Sequence, residues 1–264
     1  MQGMKSVKQL IEAYKNTAPV FEIKEGAPFL SISEFFIDTI QGENFVGWPS
    51  AFMRLQHCTL NCVYCDSREV WRTGRKYGFP EIHRLLNKVD SSNRSLIDKF
   101  KEGQHLVLTG GSPLKQQKEL ILFLDEFKAK YGFLPYIEVE NECTIIPATK
   151  LIEYVSCWNN SPKLASSLNP REVRYRPEII LMLSNLKNSW FKFVIGNKGD
   201  WKEIENDFLK QGLVERSQIV LMPMGQTREQ LEKTKELTVE LAIENNVRYT
   251  SREHIVLWDM KTGV

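Results

Sequence analysis

The sequence predicts a single α/β domain built on a mainly parallel sheet. Three observations carry that expectation. Short apolar runs alternate with amphipathic segments of roughly 10–20 residues, the mark of strand–helix–strand units. The length, 264 residues, suits one such domain. No stretch rich in Gly, Ser or Pro, no low-complexity tract and no internal repeat divides the chain. About six strand–helix pairs fit a full or partial β/α barrel, or an open twisted sheet. In both, loops at the C-terminal ends of strands carry the chemistry.

The elements follow in order. "SVKQLIEAYK" puts Val7, Leu10, Ile11 and Tyr14 at helical spacing and reads as an N-terminal helix. "FLSISEFFIDTIQGEN" reads as a strand ending in a glycine turn, and "SAFMRLQ" as a second strand running into a cysteine loop. "PEIHRLLNKV" is helical, with Pro80 at a start position. "HLVLT" is a short strand closed by Gly110-Gly111, followed by the amphipathic helix "KQQKELILFLDEFKAKYG". "YIEVE" is a strand, "ATKLIEYV" a helix, and "SCWNNSPKL" passes from buried chain to loop. "PREVRYRPEIILMLSNL" is mostly helical with an interruption at Pro177. "WFKFVIG" is a strand, and "DWKEIENDFLKQG" a helix capped by Asp200 and closed by Gly212. "QIVLMP" is a strand, "TREQLEKTKELTVELAIENN" a long helix capped by Thr227, and "HIVLW" a last strand.

Composition narrows the class. Apolar residues make up 42% and charged residues 26%, as in ordinary soluble proteins. The 35 basic and 33 acidic residues leave a net charge of +2, which gives no reason to expect a nucleic-acid partner. Arg68, Arg72, Arg75 and Lys76 form a basic cluster whose simplest reading is a solvated loop. No apolar run reaches the ~20 residues needed to cross a bilayer, so no membrane association is expected. The N-terminus lacks the apolar core of a signal peptide, and a cytoplasmic protein is implied. Five cysteines, three of them crowded together, do not form a disulfide framework; in a reducing compartment they read as metal or redox chemistry.

The crowded three are Cys58, Cys62 and Cys65, in "RLQHCTLNCVYCDS". A structural zinc site wants four ligands, usually from two separated pairs. Cys143 and Cys157 stand alone and far off, as buried cysteines commonly do. A cubane iron–sulfur cluster usually takes four thiolates. Three would leave one iron open to a ligand.

The C-x3-C-x2-C spacing, with Tyr64 before the last cysteine, resembles the signature of the radical S-adenosylmethionine (SAM) superfamily. That resemblance implies a partial (β/α)6-type barrel, a [4Fe–4S] cluster on Cys58, Cys62 and Cys65, and SAM chelated by the open iron. Electron transfer to SAM then yields a 5′-deoxyadenosyl radical. "LVLTGGSPL" is similar to the superfamily's Gly-Gly-Glu-Pro segment, which meets the SAM amino group, but Ser112 replaces the glutamate. Backbone carbonyls, or the nearby Glu138 and Glu140, are the expected substitutes. "TIQGENFVGWPSAFMRLQHC" closely resembles the N-terminal segment of the 7-carboxy-7-deazaguanine synthases, with Asn44 for a second glycine. "CDS", "SPKLA", "FKFVI", "LMPMG" and "SREHIVLWDMKTGV" recur in the same order. The resemblance spans residues 31–264 and treats residues 1–30 as an extension.

What it implies is specific. The family converts 6-carboxy-5,6,7,8-tetrahydropterin to 7-carboxy-7-deazaguanine with loss of ammonia, on the way to queuosine and other 7-deazapurines. Its members use Mg²⁺, take electrons from a donor such as flavodoxin and are usually homodimers. Carried onto this chain, Ile40, Gln41, Gly42, Glu43, Arg54, Thr109 and His254 are expected at the substrate. Arg54 would grip the substrate carboxylate through two parallel hydrogen bonds. Tyr64, Asp66, Gly111, Ser161, Lys163, Met222, Pro223 and Met224 are expected at SAM. Ser67, in place of a threonine, would give its hydroxyl to Mg²⁺, which favours oxygen donors and keeps waters. "VENECT" departs from the family's turn, and only Glu138 is matched there. The alternatives are a glycyl-radical-activating enzyme of the same superfamily and a non-catalytic zinc-binding module.

Overall fold

The computed structural model describes residues 26–259. The expected N-terminal helix lies outside them. Within them, nine strands form one sheet in the order β3-β1-β2-β4-β5-β6-β7-β8-β9. The strands are β1 Phe29–Ile40, β2 Pro49–Leu55, β3 Arg75–Gly78, β4 His105–Gly110 and β5 Tyr136–Asn141. β6 is Cys157–Asn160, β7 Ser189–Ile195, β8 Ile219–Pro223 and β9 Arg248–Tyr249. From β2 through to β9 every neighbouring pair is parallel; β1 pairs antiparallel with both β2 and β3.

Helices join the parallel strands. They are α1 Arg68–Arg72, α2 Phe79–Leu86, α3 Leu96–Lys101, α4 Gln117–Tyr131, α5 Thr149–Tyr154 and α6 Arg171–Arg174. α7 is Pro177–Ser184, α8 Lys198–Glu203, α9 Arg228–Glu244 and α10 Glu253–Trp258. The sheet curls into a partial barrel that its ladder does not close. The gap is spanned by the loop after β1. Thr250 Oγ1 donates to the Gly42 carbonyl at 3.1 Å, and Arg248 reaches Asn44.

Local chemistry accounts for the elements. Ser95 opens α3 with a reciprocal capping box to Asp98, and Thr227 accepts the Gln230 N–H to open α9. α4 ends at Gly132, whose φ of 80° suits a residue without Cβ. It buries Leu120, Phe123, Leu124 and Phe127 against the sheet, where Phe127 meets Phe123, Phe100, Tyr131 and Phe133.

Several expectations need correction. "HIVLW" is helical, not a strand: α10 buries Ile255 and exposes Val256 and Leu257, so one face alone is buried. The last strand is instead the short edge pair β9. "CWNN" is a strand, β6, hidden from a pattern search because two of its four residues are Asn. Their amides are matched inside: Asn159 donates to Glu138 at 2.7 Å and Asn160 to Ser189 at 2.8 Å. α8 is capped by Asn197, with Asp200 at the third helical position closing a capping box, and a π-helical turn Ile204–Leu209 continues it. The basic cluster is no loop. Arg68 and Arg72 stand on α1, and Arg75 and Lys76 on β3, where Arg75 pairs with Glu81.

The α4–sheet contact holds one wall of the barrel. Truncating the wholly buried Phe127 to alanine should lower stability by about 3–5 kcal/mol, measured by urea unfolding under anaerobic conditions.

Candidate active site

Alternate residues of the strands face inward, as the two-residue period requires. Glu34 and Phe36 come from β1, Phe52 and Arg54 from β2, and Thr109 from β4. Glu140 comes from β5, Lys192 and Val194 from β7, and Met222 from β8. Together they line a cavity of about 340 Å³. At the C-terminal ends of the strands it is rimmed by Cys58, Cys62, Cys65, Gly111, Glu142, Ser161 and Lys163. At the opposite end it is closed by Ile40, Gln41, Gly42 and Glu43, and at the side by Arg252 and His254.

The cavity is polar and strongly charged, and three of its cations are matched by carboxylates. Arg54 Nε bonds Glu34 at 3.1 Å, leaving the terminal guanidinium nitrogens for a ligand. Lys192 is in contact with Glu43, and Arg252 with Asp66. Thr109 Oγ1 donates to Glu140 at 2.7 Å. Burial pushes the Glu140 carboxyl up, against the Thr109 hydrogen bond and the Arg54 charge. Burial pulls the Lys192 ammonium down to about 8, while the Glu43 carboxylate beside it favours the charged form. His254 is pulled down to about 3, by burial first and then by the charges of Arg252, Arg54 and Lys192, although its side chain keeps 49% of its exposure. Its imidazole is therefore neutral at physiological pH, and its 3.9 Å approach to Asp66 is no ion pair.

The cysteine loop is pinned from several sides. The Leu60 N–H meets Cys58 Sγ at 3.4 Å, and Asn169 Nδ2 meets Cys62 Sγ at 3.2 Å. Gln226 Nε2 donates to the Cys65 carbonyl at 3.1 Å, and Asn169 Oδ1 accepts the Asn61 N–H at 2.8 Å. Gly111 lies so close beneath that an added Cβ would stand 2.2 Å from the His57 carbonyl oxygen. Three free thiols facing one cavity, two of them already receiving N–H donors, suit thiolates that carry an iron–sulfur cluster. Among the described residues no three His, Cys, Asp or Glu side chains converge on a single ion. A cubane needs no such point, since each thiolate takes a different iron.

The cavity gathers most of the residues expected from sequence. Ile40, Gln41, Gly42, Glu43, Arg54, Thr109 and His254 all line it. So do Tyr64, Asp66, Ser67, Gly111, Ser161, Lys163 and Met222, with the three cysteines. Pro223 and Met224 do not: Pro223 is buried in β8, and Met224 turns onto Gly196. Gln41 is only 1% exposed, and both ends of its amide are engaged, Nε2 by Glu138 and Oε1 by the Gly42 N–H. It shapes the floor of the cavity. Glu138 is saturated by Gln41, Asn159 and His105, so it is no substitute for a SAM-binding glutamate.

A family profile described as a 4Fe–4S single cluster domain matches residues 41–139. Several proteins named 7-carboxy-7-deazaguanine synthase align over most of their length. The one from Pyrobaculum aerophilum is 28% identical over 89% of this chain and 98% of its own. That from Halobacterium salinarum is 29% identical over 88% and 91%, and that from Aquifex aeolicus 28% over 83% and 89%. The crystal structure of QueE from Escherichia coli shares the fold, with a TM-score of 0.58 at 20% identity over 85% of this chain and 94% of that one.

The chain is similar to the 7-carboxy-7-deazaguanine synthases along most of its length.

Among the cavity residues that escaped the sequence reading as site residues are Glu34, Glu142, Lys192, Gln226 and Arg252. Lys192 had a signal, a lone charge inside the apolar run "WFKFVI". Arg252 stands in the quoted tail two residues from His254. Arg228 fastens that tail. Its guanidinium donates to the carbonyls of Val256 at 3.0 Å and Leu257 at 2.8 Å, and its N–H to Asp259 at 3.0 Å.

Two outcomes follow. Gly111→Ala should displace the cysteine loop, lowering iron and sulfide content on reconstitution while far-UV circular dichroism stays unchanged. A histidine held at about 3 when folded, against its ordinary 6.5, binds a proton only in the unfolded chain across that interval. The stability tied to His254 is therefore whole above pH 6.5 and falls as the pH drops toward 3. His254→Gln should flatten this acid limb, read as melting temperature between about pH 7 and 4.

Proposed function

We infer that the protein is a radical SAM lyase that converts 6-carboxy-5,6,7,8-tetrahydropterin to 7-carboxy-7-deazaguanine with release of ammonia. The observation that carries this reading is the meeting, in one cavity, of three free thiols with Arg54, Thr109, Glu140 and Lys192. Cys58, Cys62 and Cys65 hold the [4Fe–4S] cluster. Tyr64, Asp66, Gly111, Ser161, Lys163 and Met222 surround SAM, and the Ser67 hydroxyl is the protein ligand to Mg²⁺. When bound, cluster and SAM supply a carbon-centred radical that takes one hydrogen from the substrate.

The chain's own residues bind, orient and exclude water. Arg54, held at Nε by Glu34, presents its terminal nitrogens to the substrate carboxylate. Thr109 and Glu140, whose carboxyl burial pushes up, face the substrate's polar edge. Glu43 and Lys192 close the floor as a matched pair, so the pterin's amino and carbonyl groups find both signs of charge. Neutral His254 covers the side without adding a proton at physiological pH. Fixed in this way, the substrate offers one chosen hydrogen, and positioning is the protein's share of the catalysis.

Among the described residues no helix is long and apolar enough to cross a membrane. The proposal places the enzyme in the cytoplasm as a homodimer, with an electron donor such as flavodoxin.

Anaerobic turnover tests it. Reconstituted protein with about four irons per chain, given SAM, reductant and the carboxypterin, should release 7-carboxy-7-deazaguanine and ammonia, faster with Mg²⁺. Zinc in place of iron, or no product of that mass, would remove the reading. Arg54→Gln should raise KM for the carboxypterin roughly 10- to 100-fold.

A further inference from the structure

The sequence lacks the glutamate that the superfamily's Gly-Gly-Glu-Pro segment uses on the SAM amino group; Ser112 stands there. The structure shows what has become of that space. Ser112 is fully buried, and its hydroxyl accepts the Thr59 N–H at 3.1 Å and contacts Thr59 Oγ1 at 3.1 Å. Thr59 Oγ1 in turn donates to Glu142 Oε1 at 2.8 Å, and Thr144 Oγ1 donates to the same oxygen at 2.5 Å. The Glu142 carboxylate is thus two hydrogen bonds from the Ser112 hydroxyl, on ground that a longer side chain at 112 would reach. It comes from the neighbouring strand, just past the end of β5.

Glu142 is built for a cation it does not have. It lines the cavity beside Cys58 and Gly111, yet only 5% of its surface is exposed. Its second oxygen, Oε2, is buried with no partner. A buried carboxylate left half-satisfied is costly, and an ammonium group is the partner that repairs it best. Lys163, also in the cavity, is not that partner: its Nζ bonds Ser161 Oγ at 2.7 Å. The turn that carries Glu142 is rigid, with Cys143 wholly buried at φ 65° and its N–H bonded to Asn141 Oδ1 at 2.9 Å. Glu140 lies deeper in the barrel, on Thr109.

We propose that Glu142 receives the α-ammonium group of SAM, replacing from β5 the carboxylate that the chain lacks at Ser112. The proposal rests on the reading of this cavity as a SAM site. It makes Glu142 a cofactor-binding residue and Thr59, Thr144 and Ser112 the groups that aim it.

The test is binding without turnover. SAM affinity is measured by equilibrium dialysis on cluster-loaded protein in the absence of reductant, next to an analogue lacking the α-amino group. Glu142→Gln should weaken SAM roughly 10- to 100-fold and leave the analogue unchanged, with parental iron content. Adding Ser112→Glu to Glu142→Ala should recover part of the lost affinity. SAM binding by Glu142→Gln within twofold of the parent overturns the proposal, as does an equal loss for SAM and the analogue, which marks a merely structural role. A parent protein that binds no SAM removes the underlying functional reading instead, and is recognised before any variant is made.

Discussion

A cation inside a barrel is kept there only by a counterpart within reach. That constraint organises the whole cavity. Desolvation alone disfavours Arg54, Lys192 and Arg252 inside the barrel. Glu34, Glu43 and Asp66 retain them, and each pair joins elements that backbone hydrogen bonds do not join, except Arg54 with Glu34 on adjacent strands. Lys192 on β7 meets Glu43 from the loop after β1, so one ion pair crosses the interior between elements that no ladder joins. The same contacts that hold the partial barrel in shape are those a polar, flat, carboxylated ligand would use.

The cysteine loop shows a second kind of dependence. Three thiolates in a short loop would spread apart if the loop were free. Here side chains from the loops after β4, β6 and β8 reach it, through Ser112, Asn169 and Gln226. The loop's geometry is therefore a property of the assembled barrel and not of its own eight residues from Cys58 to Cys65.

Much of this was legible in the sequence, for physical reasons that differ by element. Long segments with one strong period, such as α4, α9, β7 and β8, were read directly. The cysteine spacing was legible because cluster ligation demands few residues at fixed intervals. What stayed hidden was tertiary. β6 hid its strand character behind two asparagines whose partners come from β5 and β7. α10 presents four apolar residues in a row, and only the surface it lies on decides which one is buried. Gln41 was read as a ligand contact, yet Glu138, 97 residues away, already holds it. Asp200 was read as a cap, and Asn197, three residues earlier, fills that position.

The strap made by Arg228 has a consequence for the cavity wall. The segment bearing Arg252 and His254 contributes a two-residue edge strand and a short helix, and a single guanidinium grips that helix by its terminal carbonyls. Arg228 is not itself among the lining residues, so the wall that bears Arg252 and His254 is set from outside the cavity.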